Sequence, residues 1–221
     1  MAISINGNGT ITGISAGGLP DGIITTADLE KAGTSGQILT SQGSGSAPQW
    51  ADAGGGNVEV MVETAVGLSG STQAGFTGLP ATTFYIQCQM YSYSFGSATY
   101  DPVIRIGDSG GIETTGYDGR AIYTGGSNST GGTANAVTGG FAPAGGGTNF
   151  ATDFSSIGHL VKLTGNTWQW SAAGHYHSAA YMMLGSGTKT LSGTLDRVVF
   201  TSVAGNSFDN GSFNIVYYYT V

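Results

Sequence analysis

Three groups of residues have types and spacings that could do chemistry. The first is Gly-Asp-Ser-Gly-Gly at 107–111, which sets the Ser109 hydroxyl in a glycine-rich turn. A nucleophilic serine flanked by backbone N–H groups for an oxyanion needs such a turn. Enzymes that use this pentapeptide in that way carry the histidine base and its aspartate upstream of the serine. Here His159, His175 and His177 all lie downstream of Ser109. The other reading is structural: a strand over 103–106 enters a Gly/Asp/Ser turn and leaves through Thr114-Thr115-Gly116-Tyr117, with Asp and Ser side chains satisfying local backbone donors. The missing upstream histidine decides for the structural reading, and no catalytic residue is assigned.

The second group is His175-Tyr176-His177. Histidines at i and i+2 of a strand share a face, so the pair could chelate a transition metal. The bland alternative is two surface histidines beside Gly174, with no carboxylate nearby in sequence to orient them. The third group is the carboxylate pool, Asp101, Asp108, Glu113, Asp118, Asp153, Asp196 and Asp209. Glycoside hydrolysis needs two of these facing one bond. Most of them fall in glycine-rich turns, where Asp has a backbone role.

The elements that must position these groups are strands. Of 221 residues, 40 are Gly, 11 Tyr and 9 Phe, and only 9% are charged. That composition favours β-structure with many tight turns and disfavours helix. Six basic residues against thirteen acidic ones argue against a nucleic-acid surface, which needs clustered cations. One cysteine, Cys88, permits no intramolecular disulfide. No segment has the length and apolarity of a membrane span, and Met1-Ala2-Ile3-Ser4-Ile5-Asn6 lacks the pattern of a secretion signal, so synthesis in a cytoplasm is expected.

Alternation predicts a half-buried strand at 58–63, with Val58, Val60 and Val62 on one face. It predicts a stronger one at 84–93, with Phe84, Ile86, Cys88 and Met90 inward and Tyr85, Gln87, Gln89, Tyr91 and Tyr93 outward. Further strands are expected at 103–106, 120–123, 158–163, 167–177, 195–203 and 212–221, which together specify an all-β, antiparallel β-sandwich or jelly roll over 57–221. Trp168 and Trp170 share a strand face and are assigned to the core. The Gly/Ser/Thr/Asn-rich stretch 125–149 is read as a long loop. Residues 1–56 show no sustained period and cannot build a core of their own. They contain one helical turn or two at 26–32, a hairpin pairing 37–41 with 48–51 across a Gly/Ser loop, and a flexible joint at 52–57.

The hairpin sequence, Gly36-Gln37-Ile38-Leu39-Thr40-Ser41 followed by Ser46-Ala47-Pro48-Gln49-Trp50, resembles a module of tailed-bacteriophage tail-fibre proteins. So does Gly-Asp-Ser-Gly-Gly-Ile-Glu-Thr-Thr-Gly-Tyr at 107–117, and so do the closing segments 190–198 and 208–215. The blocks stand in order over most of the chain, and nothing comparable marks 125–152. The resemblance implies a structural virion protein without enzymatic activity. Residues 1–56 would form a trimerising attachment segment that docks on a tail or baseplate protein. Residues 57–221 would form a receptor-binding unit for a bacterial surface glycan or protein. It also implies that His-x-His motifs of three copies can hold iron, which makes His175 and His177 the candidate metal ligands. Tyr176, Tyr123 and Tyr100, near expected turns, are the candidates for receptor contact, since flat rings stack on sugars. A capsid decoration protein and a host-glycan-degrading tail enzyme are the alternatives.

Overall fold

The computed structural model describes residues 33–44, 46, 48–52, 57–96, 101–125, 135–143, 153–177 and 181–221, the side chains of 123–125 and 135 excepted. The chain divides into two compact units, Met1–Gly56 and Asn57–Val221. In the first, β1 (Gln37–Thr40) pairs antiparallel with β2 (Gln49–Asp52). The Gln37 amide donates to Asp52 Oδ1 at 3.2 Å and the Thr40 hydroxyl to the Gln49 carbonyl at 2.9 Å, closing both ends of the expected hairpin. The helical turn expected at 26–32 lies outside the described residues.

The second unit is an all-β antiparallel sandwich. Its strands are β3 (Val58–Val62), β4 (Val66–Gly67), β5 (Gln73–Thr77), β6 (Thr83–Phe95), β7 (Pro102–Asp108), β8 (Gly111–Ile112), β9 (Tyr117–Gly125), β10 (Asn135–Val137), β11 (Phe154–Thr164), β12 (Thr167–Tyr176), β13 (Tyr181–Thr190), β14 (Arg197–Ser202) and β15 (Phe208–Thr220). The larger sheet runs β10-β9-β13-β12-β11-β6-β15-β3, with β4 also on β15; the smaller runs β5-β14-β7-β8. Among the described residues no helix is long and apolar enough to cross a membrane.

Alternating side chains of the two sheets interdigitate to make the core. Phe200 of the small sheet meets Tyr93 edge-on at 5.0 Å, Phe208 at 4.9 Å and Phe213 at 5.6 Å. Trp168 and Trp170 are both buried, as their shared face predicts. The indole of Trp170 lies directly over Gly158 of the neighbouring strand, where an added Cβ would stand 2.0 Å from the ring. Cys88 is free and buried, and burial pushes its thiol well above the ordinary range.

Three local expectations are corrected. Tyr93 is fully buried, not outward, because β6 carries one extra residue. Between Met90 and Tyr93 it has two residues, Tyr91 and Ser92, where β11 has one, Ser155, between their partners Ser156 and Phe154. Ser92 takes φ 49° there, and the bulge turns the following rings to the opposite face. Second, β3 is exposed along its whole length, since it is the edge strand of its sheet and neither of its faces is covered. Third, the stretch read as a loop at 125–149 supplies β10 and a core residue. Phe141 exchanges two backbone hydrogen bonds with Ile104, at 2.7 and 2.8 Å. Its ring is stacked 5.7 Å from Trp170 and edge-on 4.9 Å from Tyr117.

The contact beneath Trp170 generates a prediction. Gly158→Ala should lower stability by about 1–3 kcal/mol, the usual cost of overpacking a filled core, as measured by urea unfolding followed through tryptophan fluorescence. An unchanged midpoint would show that the indole does not rest on this glycine.

Candidate functional site

The Gly107–Gly111 segment folds as the end of β7, a two-residue turn and β8. Gly107 faces Gly111 so closely that a Cβ would stand 2.0 Å from the Gly111 carbonyl oxygen. Asp108 Oδ1 accepts from the Gly110 N–H at 2.8 Å, and Oδ2 accepts from the Ser192 hydroxyl at 2.8 Å. Glu113 Oε1 accepts from the Ser192 N–H at 2.7 Å and lies 2.8 Å from the Ser192 hydroxyl oxygen, whose one proton the two carboxylates share, while Oε2 pairs with the Lys189 ammonium. Lys189 is only 6% exposed and lies 5.4 Å from the centre of the Tyr117 ring. The Tyr117 hydroxyl accepts from the Ile106 N–H at 2.9 Å and donates to the Glu113 carbonyl at 2.9 Å.

The charges in this knot respond accordingly. The hydrogen bond from Ser192, aided by Gly110, holds the Asp108 carboxyl below its ordinary value. Burial pushes Glu113 up, but the bonds from Lys189 and Ser192 and the Lys189 charge outweigh it, and the net displacement is downward. Burial pushes the Tyr117 phenol up to about 12. Each polar residue thus holds a strand end or turn. Ser109 itself is exposed, and its carbonyl accepts a long 3.5 Å bond from Arg197. His159 instead shares a hydrogen bond with the Tyr85 hydroxyl at 2.6 Å, and His177 with the Ser155 hydroxyl at 2.8 Å, both on the larger sheet.

The second candidate group lies around the β6 bulge, on the face of the larger sheet turned away from the core. His175 and His177 lie on that face with their rings stacked 5.1 Å apart at 19°. Tyr91 stands 6.2 Å from His177. At 67% it is the one exposed Phe, Tyr or Trp side chain among the described residues. Ser155 Oγ accepts from the Ser92 N–H at 3.0 Å and shares a hydrogen bond with the His177 ring nitrogen Nε2 at 2.8 Å. Asp153 Oδ2 accepts from the Ser92 hydroxyl at 2.7 Å and from the Asn210 amide at 3.4 Å. The Ser92 bond, working against burial and helped by Asn210 and the nearby His177, keeps this carboxyl below its ordinary value.

The result is a row of flat rings bordered by hydroxyl, amide and carboxylate groups, suited to stacking on a sugar and orienting its hydroxyls. For a metal, one chain supplies two imidazoles here, of which His177 already uses Nε2 on Ser155. Among the described residues no three His, Cys, Asp or Glu side chains converge on one point.

Of the candidate receptor contacts, Tyr176 alternates with the histidines and turns toward the core side, packed 4.8 Å from Phe154 and 6.1 Å from Tyr181. Tyr123 sits on β9 opposite Met183 with its side chain outside the described residues, and Tyr100 is outside them altogether. The structure therefore joins His175 and His177 to Tyr91, Ser155, Asp153 and Asn210, and sets Tyr176 apart from them. The outward phase of Tyr91 was readable from the sequence. Ser155, Asp153 and Asn210 arrive from two other segments by strand register, for which adjacent residues carry no signal.

The Glu113–Lys189 pair can be tested by neutralising its carboxylate. Glu113→Gln would leave a buried ammonium unpaired and should destabilise the unit by about 3 kcal/mol. Because the folded-state carboxyl is held below its ordinary value of 4.5, its contribution is complete above roughly that pH and is lost as pH falls through the folded value. Thermal unfolding from pH 7 to pH 3 should therefore show a shallower acid limb in Glu113→Gln than in wild type. Parallel curves would disprove the ion pair's role.

No family model matches the chain, and neither a curated protein nor a solved structure matches it.

Proposed function

We propose that the chain is a structural fibre protein of a tailed-bacteriophage virion. Residues 1–56 attach to the tail and join copies of the chain, and 57–221 bind the bacterial surface, with saccharide as the favoured ligand. The blocks that resemble fibre proteins support the reading by falling on the β1–β2 hairpin, the knot around Glu113, the link from β13 into the start of β14, and strand β15. Six basic residues among 221 disfavour a nucleic-acid partner. The observation that carries the receptor assignment is the exposed Tyr91 ring beside the stacked His175 and His177, bordered by Ser155, Asp153 and Asn210. Single-site binding to a sugar is weak, and several copies on one fibre multiply it. In this assignment the Gly107–Gly111 turn is scaffold and has no catalytic part.

The test uses the fluorescently labelled full chain on a panel of bacterial cells. Binding is expected on a subset of strains and should be abolished by periodate oxidation of surface glycans. Tyr91→Ala should weaken it about tenfold per site, the equivalent of roughly 1.4 kcal/mol for a lost ring contact. Binding that survives both periodate and Tyr91→Ala would refute saccharide recognition at this site, and no binding to any strain would refute the receptor role.

A further inference from the structure

A polar groove of about 310 Å³ opens on the outward face of the larger sheet, lined by Asp118 and Arg120 of β9, Ser186, Gly187 and Thr188 of β13 and Gln169 of β12. Strand register explains its shape. Arg120 is opposite Ser186, and Asp118 and Gln169 are both opposite Thr188. Short side chains on β13 thus form the floor, and longer ones stand on the strand to either side, about 10 Å apart. The volume is at the lower end of small-ligand sites. Gln169 and His175 are six residues apart on β12, roughly 20 Å, so the groove is separate from the group around Tyr91.

The lining dictates what fits. Asp118 accepts hydrogen bonds, Arg120 donates them, and Gln169, Ser186 and Thr188 do both. Arg120 Nη1 lies 3.3 Å from Asp118 Oδ1, with both side chains exposed, so the pair has no net charge. An anion meets the Asp118 carboxylate, and a cation meets the Arg120 guanidinium. An aliphatic ligand finds no apolar wall. What matches is a compact neutral molecule with donors and acceptors on every side, which is the chemistry of a sugar ring.

The next strands extend the match. On the row of Gln169 come Val161 of β11 and then Tyr85 of β6, and on the adjacent row Ser171 is opposite His159. The Tyr85 hydroxyl shares a hydrogen bond with His159 Nδ1 at 2.6 Å, and its ring stands edge-on to Tyr218 at 5.2 Å. The ring is therefore held in place before any ligand arrives. From β9 to β6 is four strand spacings, about 19 Å, and a pyranose unit spans about one spacing. Among the described residues of these two rows, Asp118 and Arg120 are the only Asp, Glu, Lys or Arg.

We propose that these rows bind a neutral oligosaccharide laid across the strands, with one unit in the groove and a later one against Tyr85. The inference deepens the saccharide assignment of the proposed function and rests on that reading for the place of the glycan on bacteria. The site itself rests on its own lining residues.

NMR titration of the isotope-labelled full-length chain with neutral gluco-, galacto- and manno-oligosaccharides of increasing length tests it, with glucuronic acid as the charged control. The expected result is millimolar binding of at least one series. The single sugar should shift Ser186, Thr188 and the Gln169 side-chain amide, and affinity should rise with length as Tyr85 joins. Gln169→Ala should weaken the single sugar about fivefold, the loss of one neutral hydrogen bond. Tyr85→Ala should remove the gain with length; Gln169 is exposed, so its arm holds even if the Tyr85 variant does not fold. Absence of binding in every series, or glucuronic acid bound more tightly than glucose, overturns the inference. Shifts confined to the surroundings of Tyr91 overturn it too, and leave the proposed receptor site standing. Shifts in the groove with none around Tyr91 support it and count against the receptor site instead.

Discussion

One extra residue in β6 governs both the interior and the exterior of the sandwich. Strict alternation past Met90 would send Tyr93 and Phe95 into solvent. With the bulge at Tyr91–Ser92 they are buried against Phe154, Phe200 and Phe208. Burying two such rings stabilises the fold by roughly 3–6 kcal/mol, whereas holding a serine in the left-handed region costs about 1–3 kcal/mol. The balance favours the bulge, and the groups that secure it are specific. Ser155 accepts from the Ser92 N–H and Asp153 accepts from its hydroxyl. Those same groups border the exposed Tyr91 and the histidine pair, so the site is built from what the core requires.

How much could be read from the sequence follows from which effects are local. Period-two alternation at 84–90 is local, and Ile86, Cys88 and Met90 are buried as it predicts. The bulge at Tyr91–Ser92 that follows is set by pairing with β11 and β15, so alternation alone puts Tyr93 on the wrong face. Strand β13 has the composition of a loop, Gly-Ser-Gly-Thr-Lys-Thr following Leu184. It is a strand because β12 and β9 pair with it on both sides, and that context outweighs propensity. Its Lys189 is tolerable in the interior only beside Glu113, which stands far from it in the chain. For the site, the shared face of His175 and His177 was legible from their spacing. Their neighbours Ser155, Asp153 and Asn210 were not, since three separate stretches meet there by register.

The Gly107–Tyr117 segment shows why a nucleophile-like sequence can be wholly occupied with architecture. A glycine turn that exposes a serine and aims backbone N–H groups inward serves an oxyanion, but it also serves a carboxylate. Here the carboxylate is Asp108, whose two oxygens take the Gly110 N–H and the Ser192 hydroxyl. Glu113 and Tyr117 then bind the same turn to β13 and β7. The small sheet is in this way fastened to the large one by polar contacts at its rim and by aromatic contacts at its centre.

The position of β3 has a mechanical meaning. The second unit begins at Asn57, and Val58 is opposite Thr220 at one end of the larger sheet, while Tyr91 is opposite Ser212 toward the other. Eight residues of β15 separate those levels, roughly 26 Å along the strands. A pull between the entry of the chain and anything gripped beside Tyr91 therefore runs parallel to the strands. It loads the β3–β15 hydrogen bonds in shear, all together, and cannot peel them one at a time. Tension along this axis meets the sheet in its stiffest direction.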